Sequence, residues 1–144
     1  MERNRIKGRI YITAMLILTA VYPLFMVIMS GAGLIYNRNS YGATLTAAGV
    51  LLTVSGAAMT AGAILSLPKK RITAVLSLIL TAAGALLCLC MLHLLIAHAD
   101  SAGWSDDRTM EPVSAMYRRR ILPVLLPASM SAGTAVYRFL SCRD

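Results

Sequence analysis

Acidic residues are scarce in this sequence, and none of them lies inside its long apolar runs. Only six of the 144 residues are Asp or Glu, and four of the six fall between Ala99 and Tyr117. Transporters and pumps driven by protons or sodium ions usually hold the coupling ion on an intramembrane carboxylate. The distribution of acids therefore argues against an ion-coupled transporter but does not exclude a passive pore.

Charged residues of both signs are few, and motifs that signal catalysis are missing. Charged residues make up 14% of the sequence and hydrophobic residues 58%, whereas soluble domains average about 25% charged and about 45–50% apolar residues. The sequence has no nucleotide-binding loop, nucleophile elbow or metalloprotease motif. We therefore expect a membrane protein and not an enzyme, with no catalytic residues and no cofactor.

Cysteine and histidine are too few to predict a metal site. The sequence has three cysteines and two histidines, and of these Cys90 and His93, three positions apart, share a helix face. No other apolar run supplies a carboxylate, histidine or cysteine at a similar depth, and transition-metal sites need three or four protein ligands. We therefore predict no bound metal, and the cysteines do not indicate a disulfide framework.

Basic residues dominate the charge, and their positions indicate membrane topology. The net charge is +8 at pH 7, but the cations flank apolar runs instead of forming a stripe that would follow nucleic-acid phosphates. We therefore expect the cations to contact lipid headgroups and not nucleic acid. Clusters of Lys and Arg beside an apolar span also remain on the cytoplasmic side of the membrane. The predicted topology determinants are Arg3, Arg5, Lys7 and Arg9 before the first run and Lys69, Lys70 and Arg71 between the second and third.

Four apolar runs predict an all-α integral membrane protein, a bundle of four transmembrane helices in a single membrane domain over residues 1–144. A bilayer span needs about 20 apolar residues. The first run exceeds the roughly 7–15 residues of a signal-peptide core, so we interpret it as an uncleaved signal anchor. Pro68 cannot continue a helix, which makes the second and third spans a tight hairpin. The predicted spans cover about residues 10–35, 43–67, 72–97 and 121–140, with an external loop over 98–120.

The fourth run is the least regular, because it contains Pro123, Pro127 and Arg138. An arginine at the centre of a span costs about 2.5–3.5 kcal/mol, but Arg138 lies near the end, where its side chain reaches the headgroups. We therefore predict a fourth span. The alternative is three spans followed by an interfacial or re-entrant C-terminal helix.

The distribution of Lys and Arg predicts that the N-terminus lies inside. With four spans, nine of the 14 basic residues fall on the inner side and five on the outer side, in agreement with the positive-inside rule. The exception is the triplet Arg118, Arg119 and Arg120, which this orientation places outside, just before the last span. We expect a multi-pass protein of a cytoplasmic (plasma) membrane, of bacterial type.

Small residues in the second and third spans predict close helix packing. Gly49, Thr53, Ala57 and Ala61 follow one another at intervals of four in the second span, and Gly84 lies near the middle of the third. A strip of this kind lets another backbone approach closely. It serves either the packing of these two helices or a homodimer seam.

These features together predict a non-catalytic role. We expect an accessory or interaction component that packs against itself or another membrane protein, through the small-residue strip and the Asp106–Asp107 loop. The alternative is a small oligomeric channel or transporter without an intramembrane acidic site, because the hydroxyls of these spans either line a polar path or bond back to helix carbonyls. They belong to Thr46, Thr53, Ser55, Thr60, Ser66, Ser77 and Thr81.

Overall fold

The computed structural model describes residues 24–68, 70–106 and 110–141, and most of them are helical. The elements in chain order are a π-helical segment (Leu24–Ile28), α1 (Met29–Tyr36), α2 (Arg38–Leu65), α3 (Arg71–Ala102), α4 (Val113–Arg119) and α5 (Ile121–Ser141). No β-strand occurs in these described ranges, which confirms the predicted all-α fold.

A tight turn joins α1 to α2. The carbonyl of Asn37 accepts hydrogen bonds from the amides of Ser40 and Tyr41, at 3.0 and 3.1 Å. Gly42 then interrupts the helix with a φ of 79° and a ψ of 177°, a conformation that glycine adopts without the steric cost that a Cβ would add. The uninterrupted part of α2 therefore begins at Ala43, which is the predicted start of the second span.

A second turn folds α2 back into α3 as a helical hairpin. The Ser66 amide donates to the carbonyls of Gly62 and Ala63, and α3 begins after Lys70, whose backbone is extended (φ −120°, ψ 137°). Within the described residues, these two helices are long and apolar enough to cross a membrane.

The long helices pack around the α2–α3 hairpin. α1 lies on α2, α2 on α3 and α5 on α3, whereas α5 contacts α2 only weakly. The buried apolar side chains at the centre of this arrangement are Val27, Leu34, Leu45, Leu52, Met59, Cys88, Leu92, Leu95 and Val124. The core therefore follows the α2–α3 hairpin and extends to the π-helical segment on one side and to α5 on the other.

Only a narrow face of α3 is buried. Its buried positions recur every three or four residues from Ala74 to Ala99, as expected for one face of a helix. Large apolar side chains occupy the opposite face, with exposed fractions of 76% for Ile72, 57% for Ile79 and 65% for Leu86. The described chain therefore leaves a long apolar surface of α3 uncovered.

The last helix, α5, runs antiparallel to α3 over nearly its whole length. Val124, near its start, lines the same cavity as Leu92 of α3, and Phe139, near its end, lies against Arg71 at the start of α3. α5 has 21 residues, which extend about 31 Å at 1.5 Å per residue. It coincides with the predicted fourth run, and Pro127 lies within it without ending it.

The segment predicted as an external loop, residues 98–120, contains more regular structure than a loop; we call it the cap. α3 continues through Ala102 and ends at Gly103, whose φ is 64°. Ser105 then forms an isolated antiparallel bridge with Pro112, directly before α4. The indole of Trp104 packs in this region, with its ring centroid 5.7 Å from that of Tyr41 and 5.0 Å from that of His98.

Candidate functional site

A cavity of about 370 Å³ lies between the π-helical segment and the start of α5. Its walls are formed chiefly by apolar side chains of four helical elements, while Ser30 of α1 and residues of the cap form its rim. The wall residues are Met26, Val27, Leu52, Leu92, Pro123 and Val124, and the rim residues are Ser30, Glu111, Met116, Arg119 and Arg120.

Arg120 connects the cap to α1 at the rim of this cavity and, through Ser30, to the π-helical segment. Its Nη1 donates a hydrogen bond to the Ser30 Oγ, which in turn donates to the Met26 carbonyl. The guanidinium carbon also lies 5.3 Å from the centroid of the Tyr117 ring. Arg120 is only half-buried, so its cation stands at the boundary between the cavity and the surface.

The other two arginines of the triplet are neutralised by carboxylates of the cap. Arg119 makes a bidentate contact with Glu111, with two N···O distances of 3.1 Å, and Arg118 Nη2 lies 2.8 Å from the Asp100 Oδ2. Among the residues that the structure describes, Arg120 has no carboxylate within salt-bridge distance; its polar contact is the neutral Ser30 hydroxyl.

Two ionisable groups of the cap have shifted pKa values. A hydrogen bond with the Ser114 side chain, reinforced by Arg118, holds the pKa of the Asp100 carboxyl below its usual value. Burial raises the pKa of the Tyr117 phenol, and the nearby Arg120 cation opposes this effect only in part. Near neutral pH the cap therefore presents an ionised Asp100 and an uncharged Tyr117 beside the Arg120 cation.

A second depression, of about 350 Å³, lies on the other side of Arg120. Its lining includes Met29, Tyr41 and Tyr117, and it shares Met26 and Ser30 with the first cavity. Tyrosine and tryptophan prefer the level of lipid headgroups in membrane proteins. Arg120 therefore stands between two recesses, close to the aromatic side chains of the cap.

The predicted packing residues fall into different environments. Gly49 lies against α1: a Cβ on Gly49 would lie 2.8 Å from the Gly31 carbonyl oxygen. Gly84 lies against α2, where a Cβ would lie 2.9 Å from the Ser55 carbonyl oxygen. Thr53 is half-buried, and Ala57 and Ala61 are exposed. In the structure, Gly49 and Gly84 therefore lie at two helix–helix contacts, whereas Ala57 and Ala61 lie on an exposed surface of α2.

Gly31 and Gly62 also make close helix contacts, and only Gly31 lies outside the predicted small-residue strip. A Cβ on Gly31 would lie 2.5 Å from the Gly49 carbonyl oxygen, and one on Gly62 would lie 2.3 Å from the Thr81 Oγ1. Gly62 is offset by one position from the spacing of four, and Gly31 lies in the first run, within the small-residue sequence Ser30–Gly33. These clusters of small residues are the sequence feature that indicates the two contacts.

The predicted topology determinants are described only in part. Arg3, Arg5, Lys7, Arg9 and Lys69 lie outside the described residues, as does Cys142. Lys70 and Arg71 are exposed at the α2–α3 turn, and the Arg71 guanidinium carbon lies 4.6 Å from the centroid of the Phe139 ring.

The hydroxyls of α2 and α3 are engaged mainly with helix backbone. Ser77 Oγ donates across the interface to the Gly62 carbonyl at 2.6 Å, whereas the other donors bond within their own helix. Thr81 Oγ1 is buried without a hydrogen-bond partner among the described residues. The local donors are Thr46, Thr53, Ser55, Thr60 and Ser66.

The candidate metal ligands do not come together. Cys90 and His93 are exposed on the outer face of α3, whereas Cys88 is buried. Within residues 24–68, 70–106 and 110–141, no three His, Cys, Asp or Glu side chains are grouped closely enough to hold a metal ion.

Arg120 and Ser30 are the site residues that sequence reasoning missed. The triplet of residues 118–120 is a sequence feature that could have indicated the site. Successive side chains on a helix point about 100° apart, so three adjacent arginines point in different directions and cannot all face water equally. No protein-family model, curated protein or solved structure matches the chain.

Proposed function

We propose that the chain is a small multi-pass membrane protein with four spans and a non-catalytic role, acting as an interaction component of a cytoplasmic membrane. The observation that carries the membrane assignment is the uncovered apolar face of α3. Its candidate span is only 33% buried, whereas the core helix of a soluble protein turns most of its apolar side chains inward. Lipid is the solvent that suits such a surface.

The position of α5 supports the predicted fourth span. Because α5 is antiparallel to α3 and about as long as a bilayer core is thick, about 30 Å, a membrane crossed by α3 is crossed by α5 as well. Phe139 and Arg138 then lie at the level of Lys70 and Arg71, at the end of the bundle opposite the cap. The basic residues of that end favour the cytoplasmic side.

The surroundings of the hydroxyls favour an interaction component over the channel alternative. A polar path needs free hydroxyls that face a common lumen, whereas those of Thr53, Ser55 and Thr60 are bonded to carbonyls of their own helix. Ala57 and Ala61 are not used inside the bundle. These two small residues leave a flat place on α2 where a second copy or another membrane protein packs closely.

Cysteine labelling tests the topology. In a background with Cys88 and Cys90 replaced by alanine, a membrane-impermeant maleimide is applied to intact cells and to inside-out vesicles. The probes are the native Cys142 and, with Cys142→Ser added, Lys70→Cys or Ser105→Cys. We expect Cys142 and Lys70→Cys to react only in inside-out vesicles, and Ser105→Cys only in intact cells. Equal labelling of Lys70→Cys and Ser105→Cys in one preparation would contradict a spanning hairpin.

The interaction surface is tested by enlarging its small residues. Ala57→Leu with Ala61→Leu is expected to abolish the cross-linked adduct, with itself or with a partner, that the unmodified chain forms in native membranes. Ala82→Leu with Ala83→Leu, also at exposed positions but on α3, is the matched control and retains the adduct. An unchanged adduct in the first variant, or ion leakage from vesicles that contain only this protein, would favour the channel.

A further inference from the structure

We propose that the cavity beside Arg120 holds one acyl chain of an anionic phospholipid from the surrounding bilayer, with the lipid phosphate bound by the Arg120 guanidinium. This inference rests on the proposed membrane location. It gives a ligand class to the candidate site, because an apolar recess and a cation meet there at the level of the cap.

The cavity has the character of a ligand site. Pockets that bind small molecules enclose about 300–1,000 Å³ and combine apolar walls with a few polar groups, and this one encloses about 370 Å³. Its deepest contributors, Leu52, Leu92 and Val124, are at most 2% exposed. These side chains can make van der Waals contacts with a hydrocarbon chain. They provide no hydrogen-bonding group for a polar ligand.

Among the described residues, the cation at the rim has no carboxylate within salt-bridge distance. A half-buried guanidinium is stabilised most by oxygen atoms that carry charge, and arginine matches phosphate through two parallel N–H···O bonds. Glu111 and Asp100 already contact Arg119 and Arg118, while Arg120 reaches only the Ser30 hydroxyl among polar groups of the described residues. A phosphate at this position would therefore supply a negative charge that the described residues do not place on Arg120.

The relative depth of the two parts favours a lipid over a free anion. Tyr41 and Tyr117 line the recess on the far side of Arg120, and aromatic side chains of this type mark the headgroup level. Leu52 lies near the middle of α2, and Leu92 lies within the apolar run of α3, ten residues before the end of that helix. A ligand that extends from Arg120 to these leucines has its charge at the interface and its tail in the hydrocarbon region, as a phospholipid does.

Native mass spectrometry of the full chain in a neutral detergent tests the proposal. Phosphatidylglycerol and phosphatidylcholine with identical acyl chains are added separately, and the lipid-bound fraction is compared. Both lipids carry the phosphodiester, but the trimethylammonium group of phosphatidylcholine repels the Arg120 guanidinium. We therefore expect a preference of about tenfold for phosphatidylglycerol, equivalent to about 1.4 kcal/mol, and its loss in Arg120→Gln. Arg118→Gln is the matched control, because it removes the same charge two residues away, from a side chain that does not line the cavity, and it retains the preference.

Further variants separate the alternatives. Met26→Trp fills the apolar part of the cavity and is expected to reduce the binding of both lipids, while Arg120→Lys preserves the charge and tests the site if Arg120→Gln does not fold. Equal losses in Arg118→Gln and Arg120→Gln, or displacement of phosphatidylglycerol by millimolar inorganic phosphate, would overturn the proposal. Neither result bears on whether the chain spans the membrane, which the cysteine labelling decides separately.

Discussion

The guanidinium carbon of Arg71 lies 4.6 Å from the centroid of the Phe139 ring, which joins the first residue of α3 to the last turns of α5. A cation over a ring face is attracted by the quadrupole of the ring. Because residues 71 and 139 are so far apart in sequence, this contact fixes the end of α5 against the hairpin. Together with the cavity at the other end, it defines the antiparallel course of α5.

Replacing the ring tests how firmly this end is held. Phe139→Leu keeps an apolar side chain but removes the ring, and we expect the free energy of unfolding to fall by about 0.5–1 kcal/mol. Tyr137→Leu is the control, since Tyr137 is 69% exposed and has no cation over its ring among the described contacts. The measurement is the thermal unfolding midpoint in detergent. Equal midpoints for the two variants would mean that the Arg71 contact contributes nothing.

Sequence patterns placed the helices well where local chemistry decides. Ala43 begins the continuous part of α2 because Gly42 takes a positive φ, and α2 ends just before Pro68, which cannot continue it. α5 occupies the predicted fourth run although Pro127 lies inside it, since proline lacks one amide hydrogen bond but leaves the rest of a helix intact. Such boundaries depend on residues within a turn of each other.

The cap and the cavity depend on contacts between distant residues, and the sequence alone did not predict them. Arg120 bonds to Ser30, which is 90 positions away, and Trp104 packs on Tyr41. Arg118 and Arg119 belong to the triplet that departs from the positive-inside rule, and the structure pairs them with Asp100 and Glu111. Hydropathy and composition detect an apolar run but not which side chain of a triplet turns towards a cavity.

Gly62 is predicted to be essential for the approach of α2 to α3. A Cβ on Gly62 would lie 2.3 Å from Thr81 Oγ1 and 3.0 Å from the Thr81 backbone nitrogen, so Gly62→Ala forces the two helices apart. Overpacking of this kind typically costs about 1–3 kcal/mol. Gly133→Ala is the control, because nothing lies within 4 Å of a Cβ at that position. The measurement is the thermal unfolding midpoint of both variants in the same detergent. An equal fall of the midpoint in Gly133→Ala and Gly62→Ala would contradict the close approach of the two helices.

Two neighbouring hydroxyls on α3 are expected to respond in opposite ways to removal. Ser77→Ala breaks the 2.6 Å bond to the Gly62 carbonyl and is expected to cost about 0.6 kcal/mol, the average for bonds between membrane helices, and at most about 1.7 kcal/mol. Thr81→Val removes a buried hydroxyl that has no partner among the described residues, and it is expected to leave stability unchanged or to raise it. The comparison uses unfolding midpoints. A loss in Thr81→Val as large as that in Ser77→Ala would show that the Thr81 hydroxyl has a partner.

The cap is predicted to loosen in acid through Asp100, which lies in the last turns of α3, beyond the apolar run that ends at Ala97. The hydrogen bond with the Ser114 side chain, with help from Arg118, lowers the pKa of this carboxyl in the folded chain. Its contribution to stability is therefore complete above the ordinary Asp pKa of about 3.9 and is lost as the pH falls below that value, through the lowered pKa of the folded state. Trp104, the single tryptophan of the chain, reports the change, since its carbonyl accepts the Val113 amide at the start of α4.

Tryptophan emission measured from pH 7 to pH 2 should therefore shift to longer wavelength only below about pH 4. Asp100→Asn cannot be ionised, so we expect it to remove this acid transition and to show a looser cap already at pH 7. Arg118→Gln keeps the Ser114 contact but loses the smaller electrostatic contribution, and its transition should move up towards the ordinary pKa of an Asp side chain. An acid transition that is the same in Asp100→Asn as in the unmodified chain would assign it to another carboxyl group, because a group that does not titrate cannot link protonation to unfolding.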